Sequence, residues 1–73
     1  MKYQLFSIKD VLSGAFNEIL IFQNVELAKR YFQNLCAESK IKNDLQLFRL
    51  GEYDVETGIT STATDFIMSG SEC

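Results

Sequence analysis

LGEYDVETGIT, residues 50–60, decides the fold, because it can be taken as a cation site or as the bend between two strands. Its carboxylates Glu52, Asp54 and Glu56 and its threonines offer oxygen ligands. A calcium loop of the usual kind needs about twelve residues with ligands at set spacings and a bidentate Glu at the end, which this stretch does not supply. Asp54-Val55-Glu56-Thr57-Gly58 stands instead between a strand ending near Tyr53 and another starting at Ile59. Gly58 is placed to take the left-handed conformation that closes such a loop with a bulge. The segment is therefore a hairpin turn, and no metal is assigned to it.

The flanking segments carry strand patterns. LQLFRL, residues 45–50, sets Leu45, Leu47 and Arg49 on one side and Phe48 and Leu50 on the other, so it is apolar on both faces. ITSTATDFIM, residues 59–68, is the returning strand, threonine-rich and frayed, and the tail from Ser69 to Cys73 is expected to be mobile. Further upstream, Asn24 is a good N-cap and Glu26 suits the positive end of a helix dipole. Leu27, Ala28, Tyr31, Phe32, Leu35 and Cys36 then form a helical apolar stripe that runs to about Ser39. KYQLFSI, residues 2–8, reads as a strand with Tyr3, Leu5 and Ser7 on one face and Gln4, Phe6 and Ile8 on the other. Ser13-Gly14 signals a turn, after which EILIFQ, residues 18–23, is a second strand.

The order strand, strand, helix, strand, strand predicts an α+β fold: a small, mainly antiparallel sheet with one amphipathic helix packed on one face. A single domain spans residues 1–73, ordered over about 2–68. One helix covers one sheet face only. An uncovered face made of Tyr3, Leu5, Leu45 and Leu47 would be a large apolar patch for so small a chain, which points to a homo-oligomer, most simply a dimer, with Leu5, Leu45 and Leu47 at its interface.

Composition narrows the class. The 73 residues, 47% apolar and 23% charged, suit one small globular domain and leave no room for a second. Such a chain buries only about 60% of the surface its unfolded form exposes, so self-association would help it. Histidine is absent, which removes the usual general base and the commonest transition-metal ligand. With no nucleophile–base pair, glycine-rich phosphate loop or metal-ligand spacing either, an enzyme is not expected, nor is a cofactor. Cys36 falls on the helix stripe and is expected to be packed, and Cys73 to be unbridged except by oxidation in air. Without a signal-peptide pattern or an apolar run long enough to cross a bilayer, the simplest expectation is a soluble protein of a reducing cytoplasm. The net charge of −3 is split unevenly: residues 1–50 hold all seven Lys and Arg against five acids, and residues 51–73 hold five acids and no base.

Three blocks carry a family resemblance. Leu5-Phe6-Ser7-Ile8-Lys9-Asp10, then Asn24 followed by Ala28-Lys29-Arg30-Tyr31-Phe32, then Leu47 to Asp54 with Thr57-Gly58, resemble in order the small non-structural protein of gokushovirus-type microviruses, phages with circular single-stranded DNA. The resemblance covers roughly residues 3–60. Members often carry prolines near the second strand and before the third, where this chain has none. The resemblance implies a DNA-binding protein of the host cytoplasm, comparable to the microvirus protein that shifts replication from duplex intermediates to single-strand synthesis coupled to packaging. Single-stranded DNA would be its ligand, and phage replication or procapsid proteins further partners.

Single-stranded DNA binding needs cations for phosphates and exposed aromatic faces for bases. The cations considered are Lys2, Lys9, Lys29, Arg30 and Arg49, with Arg30 in the matched helix block and exposed on the wheel. Tyr3, Phe16, Phe22 and Phe48 are the aromatics that could lie on a sheet face, and Tyr3 with Arg49 nearby would make a platform. Asp10 and Asp54 read as turn residues that bond nearby backbone N–H groups. The competing expectation is a homo-oligomeric interaction module that binds a phage or host protein without touching DNA.

Overall fold

The computed structural model describes Lys2–Glu72; Met1 and Cys73, and with Cys73 the expectation about its thiol, lie outside the described residues. Strands β1 (Lys2–Asp10), β2 (Ala15–Phe16), β3 (Leu20–Phe22), β4 (Leu45–Asp54) and β5 (Gly58–Ser69) form one antiparallel sheet, and helix α1 (Val25–Glu38) packs on it. The order across the sheet is β2-β1-β4-β5, with β3 sharing the β2 edge of β1. The expected α+β architecture is the observed one.

Local chemistry sets the element ends. Asn24 Oδ1 accepts the Leu27 N–H at 3.0 Å and caps α1, as its residue type requires. Asp10 Oδ1 accepts the Leu12 N–H at 2.9 Å while the Gly14 N–H donates to the Asp10 carbonyl at 2.8 Å, so the β1–β2 bend is built on Asp10. At the other hairpin, Asp54 Oδ1 accepts the Glu56 N–H at 2.8 Å and Gly58 takes φ +91°. Residues 54–58 are thus a turn.

Of the expected second strand, 18–23, only Leu20–Phe22 is strand, as β3; the short β2 at Ala15–Phe16 precedes it, and Asn17–Ile19 lie between the two. The cause is Ser7, a buried hydroxyl on β1 that donates to the Asn17 carbonyl at 2.9 Å, with the Glu18 carbonyl 3.2 Å away. That hydroxyl takes over carbonyls a regular ladder would have paired, so the chain bows out and re-enters at Leu20. The returning strand runs over twelve residues as β5, and its ladder with β4 is interrupted by three irregularities. Beyond it, Gly70–Glu72 form a 3-10 turn packed beside a second one at Lys42–Asp44.

The core lies between α1 and one sheet face. Phe6, Ile8, Leu45, Leu47 and Met68 meet Ala28, Phe32 and Cys36 there. Register corrects the expected position of two leucines: Ile8 pairs with Leu47 and Asp10 with Leu45, which puts both under the helix and not beside Tyr3 and Leu5. Leu5, on the other side of β1, is buried as well. The interface expected from Leu5, Leu45 and Leu47 therefore has no exposed surface in the folded chain.

Candidate nucleic-acid interface

The face of the sheet turned away from α1 is set by alternation along β1. Since Phe6 and Ile8 point into the core, Tyr3, Leu5, Ser7 and Lys9 take the other side. Their cross-strand partners follow: Tyr53 opposite Tyr3, Phe48 opposite Ser7, and Phe16 opposite Lys9. Phe66 is paired with Phe48 on the next strand. The result is a row of rings, drawn from β2, β4 and β5, that spans four strands. Phe16 and Phe48 have centroids 5.4 Å apart, and Phe48 and Phe66 5.8 Å, each pair edge to face. Lys9 Nζ lies 5.6 Å from the Phe16 ring and 6.0 Å from the Phe48 ring, within cation–π range. Phe16 and Phe66 remain 41% and 53% exposed, so ring surface is left for a ligand.

Among the residues considered from the sequence, Lys9, Phe16 and Phe48 are brought together, and Tyr3 shares their face. Phe22 is not with them: it packs on the helix side, its ring 6.1 Å from Phe6 and 5.6 Å from Tyr31. Arg49 also lies on that side. Its Nε donates to Gln4 Oε1 at 3.3 Å, its Nη2 to Glu52 Oε1 at 3.0 Å and its Nη1 to Asp65 Oδ2 at 3.3 Å. Tyr3 and Arg49 thus stand on opposite faces, and the expected platform of the two does not form. Lys29 approaches Glu26 at 4.0 Å and Arg30 is exposed, both on α1 and across the sheet from the ring row. Lys2 opens β1 opposite Asp54.

Phe66 is the residue the sequence pattern missed. It sits in a threonine-rich run where Ile67 is an extra residue in the ladder, so simple alternation from Ile59 does not predict its face. Another concavity, a pocket of about 200 Å³, lies between α1 and the bowed segment, lined by Ile8, Asn17, Glu18, Leu20, Tyr31 and Leu35. It is smaller than the roughly 300–1,000 Å³ usual for small-molecule sites. Among the described residues no group of three or more Cys, Asp or Glu is placed to hold a metal ion.

A five-stranded antiparallel sheet with one helix on its back and aromatic rings on its open face defines a small α+β domain. Residues 3–73 match the family described as Phage ORF5 protein. The chain belongs to that family and is a small non-structural phage protein. No curated protein matches it, and no solved structure does.

Proposed function

We propose that this phage protein binds single-stranded DNA on the open sheet face and acts in viral DNA replication, or in the switch to single-strand synthesis and packaging, in the host cytoplasm. The observation that carries the reading is the Phe16–Phe48–Phe66 row with Lys9 against it. Unpaired bases stack on such rings at about 1–3 kcal/mol each without regard to sequence, and a duplex hides the faces they need. The chain's net charge of −3 would oppose a polyanion if spread evenly. Two of its acids, Glu52 and Asp65, are held by Arg49 on the helix side, away from the row. Lys9 supplies positive charge at the row itself, Tyr3 extends the aromatic surface along β1, and Lys2, Lys29 and Arg30 are left for peripheral phosphate contacts. Phage replication or procapsid proteins fit as further partners of a protein with this role.

The test is fluorescence anisotropy with a labelled single-stranded oligonucleotide and its duplex, each at low and moderate salt. The reading expects tighter binding to the single strand, weakening with salt. Equal affinity for both forms, or no binding to either at low salt, would overturn it.

A further inference from the structure

Register places a second aromatic pair on the open face, at the other end of β1 and β4 from the ring row. Tyr3 stands opposite Tyr53, both half-buried, and Tyr53 is partnered on β5 by the exposed Ile59. Ser7, the partner of Phe48, lies four residues from Tyr3 along β1, about 13 Å at about 3.3 Å per residue. Between the two aromatic groups the cross-strand row Ile21, Leu5, Gly51 and Thr62 is uncharged, with Ile21 and Thr62 exposed at its ends. Charge on the sheet is divided by face. Among the described residues, the carboxylates borne by strands are Asp10, Glu52, Asp54 and Asp65; they stand opposite Leu45, Gln4, Lys2 and Arg49, all on the helix side. Lys9 is left as the charged strand residue of the open face.

We propose that Tyr3 and Tyr53 form a second base-stacking station, so that single-stranded DNA lies along β1 and β4 with one base on the Phe16–Phe48–Phe66 row and another, several nucleotides away, on the tyrosines. The inference rests on the reading of the open face as a single-strand site. Stacked neighbours on a strand are about 3.4 Å apart, so bases about 13 Å apart are about four steps apart when the strand stays stacked and fewer when it is drawn out. A dinucleotide, with one step, reaches one station at a time. An octanucleotide reaches both, and its second contact is intramolecular, which raises affinity above that of either station. Since the strand carboxylates face the helix, the phosphates pass from one station to the other without meeting like charge on the sheet.

Competition against a labelled thymidine octanucleotide by the unlabelled octanucleotide and by the dinucleotide, read by anisotropy on the full chain, tests this. Tyr53→Leu keeps an apolar side chain but removes the ring. It should weaken octanucleotide binding roughly five- to a hundredfold, the loss of one stacked base. Dinucleotide binding should fall by no more than about twofold, because the ring row still takes it. Tyr53→Phe keeps the stacking ring and should bind both like the wild type. Circular dichroism checks the fold, and Tyr3→Leu, on the facing strand, gives the same readout should Tyr53→Leu not fold. If Phe66→Ala weakens octanucleotide binding while Tyr53→Leu and Tyr3→Leu do not, the second station is overturned and the single-strand reading stands. Equal losses for both oligonucleotides in Tyr53→Leu, or a loss in Tyr53→Phe as large as in Tyr53→Leu, would also overturn it. A wild-type chain that binds neither oligonucleotide overturns both readings.

Discussion

Arg49 on β4 and Asp65 on β5 are cross-strand partners, with Nη1 3.3 Å from Oδ2, and the same guanidinium reaches Glu52 and Gln4. One cation thus holds two carboxylates and an amide from three strands. Its side chain is 22% exposed, so the pairs are partly shielded from water. Arg49→Gln should cost about 0.5–1.5 kcal/mol in urea unfolding, because two carboxylates lose their partner in a half-exposed setting. Single-stranded DNA affinity should change by less than about twofold, since the guanidinium sits behind the ring row. A large loss of affinity with unchanged stability would move the DNA contact to the helix side.

Phe66→Ala removes the outer ring of the row, a side chain more than half exposed. Single-stranded affinity should fall by about 1–3 kcal/mol, with a stability loss of about 1 kcal/mol because little burial is forfeited. Anisotropy and urea unfolding on the same sample separate the two effects. Lys9→Gln should also lower affinity and reduce the salt slope by about 0.7, the signature of one phosphate contact to a single strand. If instead both variants bind like the wild type, the row is not the binding surface.

Local features of this fold were legible in the sequence and non-local ones were not. Asn24, Asp10 and Asp54 act on backbone groups two or three residues away, so residue type alone places a cap and two turns. The alternation of β1 and the common side of Leu45, Leu47 and Arg49 were readable for the same reason. Which face α1 covers depends on Ile8 meeting Leu47, a register between segments almost forty residues apart, and no period within either strand encodes it. Ser7 breaking the second strand, and the irregular ladder that carries Phe66, likewise arise from contacts made only in the folded sheet.

Gly51 is the glycine the sheet cannot replace. It has φ +147°, and a Cβ added there would land on the Ser61 carbonyl oxygen of the neighbouring strand. Backbone and neighbour both resist, because Ser61 is held in the ladder opposite Glu52. Gly51→Ala should destabilise by about 2–4 kcal/mol, combining a disfavoured backbone conformation with overpacking. Gly58→Ala, with φ +91° but open space around its Cβ position, should cost about half as much. Parallel thermal melts of the two variants check the ranking, and equal costs would show that strain alone, without the contact to Ser61, governs both sites.

The Asp54 carboxyl is held below its ordinary value of 3.8, chiefly because it accepts the Glu56 N–H, with the Thr57 N–H and Lys2 acting in the same direction. A folded-state pKa below the unfolded one means that the ionised carboxylate favours the native state. That contribution is complete above the ordinary aspartate range and is lost as pH falls through the depressed value. Asp54→Asn keeps an oxygen for the turn but removes the charge, so its midpoint should lie below that of the wild type at neutral pH. The gap should close as pH drops from about 5 to about 2, where the wild-type carboxyl becomes neutral too. Thermal melts of both proteins across that range provide the check: a gap independent of pH would mean that the charge of Asp54 contributes nothing and that the turn rests on hydrogen-bond geometry alone.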